Sequence, residues 1–324
     1  MLIKKEGKMD RLKILPVNYP ALAYGVAKML GVEVVHPELR TYPNGCFEVK
    51  LPREVRDCSA FVFFTSIPSK NLPRDILATQ LTLNAAYESF ASRVFLVMPY
   101  FSYARSDKKE GRMGIAAKII AKNFLIACDG HTPTIVFDLH APQVEGFFER
   151  IDNFSTFKLL IPYLRKKHLN PKETIVLPDD THSIKRALLV GEHLGFPVGY
   201  VEKMRISSTE VKILSIQGDY QGKTVIIAAD EICTGGTIAK LIQKVEKKIK
   251  EAIIVAAHGV FAGNVIGNLS HPLIKEIVVS NTLPISRKIK KHLPINVVDI
   301  AHFLAKILES IHKSKPLSPL FEIK

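Results

Sequence analysis

The chain contains no tryptophan, only four cysteines and no long hydrophobic run. The cysteines lie far apart, without the short spacings typical of a metal site, so we expect reduced thiols in a reducing compartment. No apolar run approaches the ~20 residues of a membrane span. The first residues also lack the apolar core of a secretion signal. These absences predict a cytoplasmic protein without a membrane partner.

Acidic residues are outnumbered, with 31 aspartates and glutamates against 45 lysines and arginines and a formal net charge of +14. Lysines cluster in residues 244–250 and 287–291, and neither run contains an aromatic residue. Nucleic-acid surfaces usually interleave basic and aromatic residues or belong to a known module, so we expect no nucleic-acid partner. The runs fit a solvated basic surface, and a positive cleft would suit a polyanionic small substrate.

Apolar runs of strand length alternate with amphipathic helical stretches along almost the whole chain. This alternation predicts an α/β fold with largely parallel sheets. A length of 324 residues favours two domains over one, and the hydrophobic fraction of 47% supplies a sizeable core. The pattern places the boundary between the domains near residues 152–156.

A glycine-rich turn follows the buried strand that we predict for residues 224–229, and an amphipathic helix follows the turn. Asp230 and Glu231 precede the turn, where they could bind sugar hydroxyls or a metal. Residues without a Cβ let backbone N–H groups approach an anion, and the helix dipole favours a phosphate there. The order of strand, acid, turn and helix predicts a sugar 5-phosphate site on Thr234, Gly235, Gly236 and Thr237.

Other polar segments also follow predicted strands, where ligands bind in open α/β sheets. Arg105 lies in one of them, and its guanidinium suits phosphate recognition. His140 and Asp179 lie in two others. Singly, such residues are more often structural, but together they could surround Mg²⁺, which takes few protein ligands. Lys203 and Arg205 alternate in a predicted mobile loop, where both cations could close over a substrate; an ordinary surface loop is the alternative.

Nine short motifs occur in one order along nearly the whole chain. They are Tyr42-Pro43-Asn44-Gly45, Pro99-Tyr100-Phe101-Ser102-Tyr103-Ala104-Arg105, Phe137-Asp138-Leu139-His140-Ala141, Pro178-Asp179, Lys203-Met204-Arg205, Thr234-Gly235-Gly236-Thr237, His258-Gly259-Val260-Phe261, Asn281-Thr282-Leu283-Pro284 and Leu317-Ser318-Pro319-Leu320-Phe321. Several are weak singly. In this order and spacing they resemble the phosphoribosyl pyrophosphate (PRPP) synthetases, also called ribose-phosphate pyrophosphokinases.

The resemblance implies two phosphoribosyltransferase-like domains, each a mostly parallel sheet flanked by helices, over residues 1–152 and 153–296. A C-terminal helical segment, residues 297–324, would pack on the first domain. The implied reaction is Mg²⁺-dependent transfer of diphosphate from ATP, or another nucleoside triphosphate, to the 1-hydroxyl of ribose 5-phosphate. The products would be PRPP and AMP. A homo-oligomer, dimer or hexamer, is also implied, because another subunit would bring Asn44 to the adenine.

The resemblance further implies a role for each site residue. The turn at 234–237 would hold the 5-phosphate, and Asp230 would face the ribose hydroxyls. Lys203 and Arg205 would be the catalytic pair on a closing loop. The implied nucleotide contacts are Asn44, Arg105, Arg112 and His140, and the implied metal-site residues are His140 and Asp179.

Near the adenine and in the sugar loop, this chain lacks an acid where the family usually has one: at Cys46, and at Ala229 and Cys233. Two hypotheses follow. The first is an active synthetase with altered donor choice or regulation, which the intact catalytic and metal residues favour. The second is a non-catalytic homologue that regulates a true synthetase, which the lost acids favour. A phosphoribosyltransferase that consumes PRPP is a third interpretation, and it leaves the first domain unexplained.

Overall fold

The structure is a computed structural model that describes residues 8–109, 111–180, 183–205 and 211–323. The chain divides into two compact units. The first runs to Phe154 and includes Ile300–Glu322, and the second comprises Ser155–Asp299 with Ile323. Within the described ranges, no helix combines the length and the apolar character that crossing a membrane requires.

Strands alternate with helices in the first unit. Its strands are β1 (Leu12–Pro16), β2 (Glu38–Thr41), β3 (Phe47–Lys50), β4 (Ser59–Phe63), β5 (Arg93–Met98), β6 (Thr134–Phe137) and β7 (Ile151–Phe154). Its α-helices are α1 (Pro20–Leu30), α2 (Leu72–Glu88) and α3 (Ala116–Ile126), with α9 (Ala301–His312) and α10 (Ser318–Phe321) from the end of the chain. The parallel sheet has the order β1-β4-β5-β6-β7, and β2 and β3 form a separate antiparallel pair.

Helix α9 completes the core of the first unit. It packs on α1, and a Cβ built on Gly25 of α1 would lie 3.3 Å from the Cβ of Ala301. Phe303 of α9 meets the rings of Phe137 and Phe154 edge-on, with centroids 6.1 and 6.0 Å away. The far end of the sequence therefore supplies core side chains to the first unit.

The second unit repeats the alternation. Its strands are β8 (Thr174–Pro178), β9 (Tyr200–Arg205), β10 (Val211–Gln217), β11 (Thr224–Ile232), β12 (Glu251–Gly259), β13 (Ile274–Ser280) and β14 (Ile295–Val298). Its α-helices are α4 (Phe157–Arg165), α5 (Ile184–Leu194), α6 (Gly236–Val245), α7 (Val265–Leu269) and α8 (Arg287–His292). The parallel sheet has the order β14-β13-β12-β11-β8, and β9 and β10 form an antiparallel pair.

Both faces of this second sheet are buried. Alternate residues along β11 enter different apolar clusters: Ile227 faces α6, and Ile226 faces α4 and α5. A parallel strand that is covered on both sides needs a continuous apolar sequence, as β11 has. The burial thus explains why the predicted strand was so apolar, and it leaves polar side chains only at the strand ends.

The two units share one order of elements. In each, a strand and a helix are followed by a residue that forms an isolated parallel bridge back to that strand. The bridges join Val34 to Ile14 and Val198 to Val176. An antiparallel pair follows, and then the remaining parallel strands. The predicted α/β class with mostly parallel sheets flanked by helices is confirmed. The two antiparallel pairs were not predicted.

Candidate active site

The glycine-rich turn joins β11 to α6 in the second unit. Gly235 caps the N-terminus of α6 with a φ of 72°, in the left-handed region. A Cβ built on Gly235 would lie 2.7 Å from Cγ of Leu269, whereas one on Gly236 would come no closer than 3.6 Å to Oγ1 of Thr234. Glycine is therefore required at 235 by both its backbone conformation and its neighbour.

The N-terminal end of α6 suits an anion. The first N–H groups of a helix have no partner within the helix, and the dipole gives this end a partial positive charge. The helix is held by its apolar face, where Ile238, Leu241, Ile242 and Val245 are buried. Packing therefore fixes the direction in which these N–H groups point.

Two nearly buried acids lie at the carboxyl edge of the same sheet, on neighbouring strands. Asp179 directly follows β8, and its backbone N–H donates to the carbonyl oxygen of Ala228 at 3.1 Å. Asp230 lies near the end of β11, where its Oδ1 accepts a 2.8 Å hydrogen bond from the backbone N–H of Glu231. Asp179 is 7% exposed and Asp230 is 8% exposed. The two carboxyl groups and the glycine-rich turn thus share one edge of the sheet.

The two sugar-loop positions that lack an acid, Ala229 and Cys233, have different surroundings. Ala229 is 0% exposed and belongs to the apolar cluster beneath α6. Cys233 is partly exposed, and its carbonyl oxygen accepts a 2.9 Å hydrogen bond from the N–H of Ala262. An alanine at 229 is thus well packed without a polar partner. All four cysteines lie within the described ranges and form no disulfide.

The segment with the predicted catalytic pair is a strand where the sequence predicted a mobile loop. Lys203 and Arg205 lie in β9, in register with Ile213 and Val211 of β10. The prediction of a loop was wrong at these positions. The polar sequence of β9 has no strand pattern of its own, and its backbone pairs with β10. The side chains of both residues, and residues 206–210, lie outside the described part of the chain. Closure of the two cations over a substrate therefore stays a prediction.

In the first unit, Arg105 and His140 follow neighbouring strands. Arg105 ends the short 3-10 helix Ser102–Arg105 after β5, and His140 lies three residues beyond β6. A hydrogen bond joins these loops, because the side-chain amide of Gln143 donates to a carboxylate oxygen of Asp107. Arg105 is exposed and His140 is partly buried. The structure thus brings the two loops together at the carboxyl edge of the first sheet.

The other predicted nucleotide contacts lie on loops. Asn44 is in the turn between β2 and β3, where its Oδ1 accepts a 3.1 Å hydrogen bond from the N–H of Cys46. Gly45 in the same turn has a φ of 86°. Cys46 and Arg112 are exposed, and Arg112 precedes α3. Asn44 thus lies in the turn of an antiparallel pair that is separate from the parallel sheet.

The donor groups fit a magnesium ion better than a metal that needs a full set of protein ligands. Among the described residues, no group of three or more histidine, cysteine, aspartate or glutamate side chains could hold a metal ion. Magnesium usually keeps several waters and takes one or two carboxylates together with substrate phosphates. Asp179 offers such a carboxylate in the second unit, while His140 belongs to the first.

The sequence analysis did not identify two residues that contact the candidate segments, one in each unit. Gln143 links the Arg105 and His140 loops, and Asn268 of α7 donates a 2.8 Å hydrogen bond to the carbonyl oxygen of Thr234. Neither has a local signal in the sequence, because each acts on a segment that is distant along the chain.

Comparisons with known proteins identify the family. Residues 13–127 match the model of the N-terminal domain of ribose phosphate pyrophosphokinase. Residues 198–322 match the phosphoribosyl synthetase-associated domain. Ribose-phosphate pyrophosphokinase 3 of Saccharomyces cerevisiae is 32% identical, covering 97% of this chain and 98% of that protein. The ribose-phosphate pyrophosphokinase of Clostridium acetobutylicum is also 32% identical, covering 96% of this chain and 97% of that protein.

A solved structure agrees with these relatives. The crystal structure of phosphoribosylpyrophosphate synthetase from Mycobacterium smegmatis superposes with a TM-score of 0.84 at 30% identity. The match covers 94% of this chain and 100% of that one. Sequence likeness over the full length and likeness of fold point the same way, and the chain belongs to the ribose-phosphate pyrophosphokinase family.

Proposed function

We propose that this protein makes PRPP, by transferring the diphosphoryl group of ATP to the 1-hydroxyl of ribose 5-phosphate and releasing AMP. The observation that carries this proposal is the 32% identity to a ribose-phosphate pyrophosphokinase over 97% of the chain. The left-handed glycine turn and the two acids at the carboxyl edge of the second sheet give it a physical basis.

Ribose 5-phosphate would bind at this edge. Its phosphate would accept hydrogen bonds from N–H groups of the turn Thr234-Gly235-Gly236-Thr237 and gain from the dipole of α6. Asp230 would accept hydrogen bonds from the ribose hydroxyls. With its phosphate on the glycine-rich turn and its hydroxyls at Asp230, the ribose would extend away from α6.

The nucleotide would meet residues of the first unit. Arg105 and Arg112 would contact its phosphates and base, with Asn44 supplied by another subunit. His140 would lie against the metal-bound triphosphate. This arrangement makes a homo-oligomer, dimer or hexamer, part of the proposal, and light scattering of the purified protein would test it.

The chemistry needs positioning more than covalent catalysis. The 1-hydroxyl oxygen attacks the β-phosphorus and loses its proton to solvent. The bond from that phosphorus to the oxygen that bridges it to the α-phosphorus breaks, and AMP leaves with this oxygen. Lys203 and Arg205 would stabilise the charge that develops on the transferred group. Bound magnesium would neutralise triphosphate charge, and Asp179 and His140 would hold it. Closure of the strand that carries Lys203 and Arg205 over the substrates would keep water from competing as the nucleophile.

The first test is product formation from ribose 5-phosphate and Mg²⁺ with ATP, GTP, CTP or UTP, following PRPP and the nucleoside monophosphate. Turnover with ATP alone supports the proposal and shows that the adenine site tolerates Cys46. Turnover with several donors supports it with relaxed base recognition. Folded protein that binds ribose 5-phosphate or ATP but turns over no donor would instead indicate the non-catalytic regulatory homologue. The cytoplasmic location and the domain boundaries at residues 152 and 296 stay predictions.

A further inference from the structure

The glycine-rich turn is braced by the segment after β12. The N–H groups of Val260 and Phe261 donate to the carbonyl oxygen of Ile232 at 3.0 and 2.9 Å. The N–H of Ala262 donates to the carbonyl oxygen of Cys233 at 2.9 Å. The backbone hydrogen bonds from this segment therefore reach Ile232 and Cys233, the two residues just before the turn.

A side chain continues this bracing into the turn. Asn268 donates from Nδ2 to the carbonyl oxygen of Thr234 at 2.8 Å. A carbonyl oxygen only accepts, so the amide must present its NH₂ group here and not its oxygen. The next residue of α7, Leu269, packs against Gly235. One turn of α7 thus holds both ends of the peptide bond between Thr234 and Gly235.

The orientation of this peptide bond decides where an N–H points. A trans peptide is planar, so its C=O and N–H point in opposite directions. With the carbonyl of Thr234 held toward Asn268, the N–H of Gly235 faces away from α7. Glycine tolerates both signs of φ, so a peptide next to Gly235 can rotate unless another group holds it.

We propose that Asn268 is a positioning residue for the sugar-phosphate site: it holds the Thr234 carbonyl so that the Gly235 N–H faces the 5-phosphate. This inference rests on the proposed function, because it assumes that the turn binds the phosphate of ribose 5-phosphate. Asn268 itself touches no reacting atom. Its role predicts an effect on ribose 5-phosphate and little effect on the nucleotide.

The test compares two variants at this position with one matched control. Asn268→Leu keeps the size of the side chain and removes the donor. Asn268→Asp keeps the shape and turns an oxygen toward the Thr234 carbonyl, so it is the second variant should leucine prevent folding. Asn264→Asp adds the same charge to the exposed residue that precedes α7, where the side chain lies against Gly267.

The experiment would measure kcat and KM of each variant for both substrates. Calorimetry without nucleotide would measure the binding of ribose 5-phosphate. We expect Asn268→Leu to raise the KM and Kd for ribose 5-phosphate about tenfold, the effect of one lost hydrogen bond. Asn268→Asp should raise them further, because two acceptor oxygens would face each other. The KM for ATP and the thermal midpoint should stay close to those of the wild type, and Asn264→Asp should match the wild type.

A KM for ribose 5-phosphate within twofold of wild type in both Asn268 variants would overturn the inference. Equal losses for ribose 5-phosphate and ATP would also overturn it, because they would indicate a purely structural role. If wild-type protein neither binds ribose 5-phosphate nor makes PRPP, the proposed function fails first and the inference fails with it. The wild-type measurement thus separates the two failures.

Discussion

The guanidinium of Arg93, at the start of β5, donates a 2.9 Å hydrogen bond to the carbonyl oxygen of His312, the last residue of α9. A second bond of 3.0 Å reaches the carbonyl of Ile311. A helix leaves its last carbonyl groups without partners, and a cation at this end also complements the helix dipole. Arg93 therefore caps a helix from more than two hundred residues earlier in the chain.

Replacing Arg93 with methionine should loosen α9. We expect the free energy of unfolding to fall by about 1–3 kcal/mol, the usual effect of losing hydrogen bonds to a charged group. Urea denaturation and hydrogen exchange at the end of α9 would measure this. Lys306→Met removes a cation from the exposed face of the same helix and should change little. Equal effects of the two variants would contradict the capping role.

Lys203→Ala should reduce turnover by orders of magnitude and leave the affinity for ribose 5-phosphate nearly unchanged. A group that stabilises charge only in the transition state affects kcat more than ground-state binding. Steady-state kinetics with calorimetry of ribose 5-phosphate would check both values. Lys288→Ala, an exposed cation of α8, is the control. Unchanged turnover in Lys203→Ala would exclude the proposed role of Lys203 in stabilising charge in the transition state.

The two glycines of the turn should respond differently to alanine. Gly235→Ala places a Cβ 2.7 Å from Leu269 and forces a side chain into the left-handed region. We expect a loss of about 1–3 kcal/mol in stability and weaker binding of ribose 5-phosphate. Gly236→Ala meets only ordinary contacts within the protein and should fold as well as the wild type. Thermal unfolding of both variants would measure this difference in stability. Similar midpoints for the two variants would contradict the structure of the turn.

The hydrogen bond from Gln143 to Asp107 should matter for the nucleotide. Without it the Arg105 and His140 loops lose a mutual contact, so Gln143→Leu should raise the KM for ATP about three- to tenfold. The KM for ribose 5-phosphate should not change. Gln243→Leu, on the exposed side of α6, is the matched control. An unchanged KM for ATP would mean that other contacts hold the loops.

Stability at high pH should depend on Tyr163. Burial and a 2.6 Å hydrogen bond to Glu276 raise the pKa of Tyr163 to about 12. The folded state therefore holds the phenol proton more tightly than the unfolded state, whose pKa is about 10. This contribution is full below pH 10 and is lost as the pH rises toward 12. Urea denaturation from pH 9 to 11.5 should show a steeper loss for the wild type than for Tyr163→Phe, and parallel curves would contradict it.

Local patterns predicted the parts of the fold that local physics determines. The apolar run of β11 and the glycines after it were visible because burial on both faces and a left-handed cap each demand particular residues. The hairpin of β9 and β10 was not visible. Its pairing joins strands on either side of residues 206–210, and the register of Lys203 with Ile213 appears only in the structure.

Contacts between distant segments were likewise beyond the sequence. Asn268 and Gln143 are ordinary amides until the fold brings them to Thr234 and Asp107. The sequence singled out Arg105, His140, Asp179 and Asp230 as candidates because they follow predicted strands, where ligands bind in open α/β sheets. Candidate site residues at strand ends could thus be proposed from the sequence, whereas the residues that contact their loops could not.

The return of α9 to the first unit has a consequence for how the protein is made. A ribosome releases residues in order, at about 5–20 per second, so the first unit emerges without the helix that covers α1. Synthesis of the second unit takes about seven to thirty seconds, and only afterwards can Ala301 pack against Gly25. During this interval α1 and the ring of Phe137 are exposed on the nascent chain. Chaperone binding to ribosome-bound chains should therefore persist until residues 300–312 leave the exit tunnel.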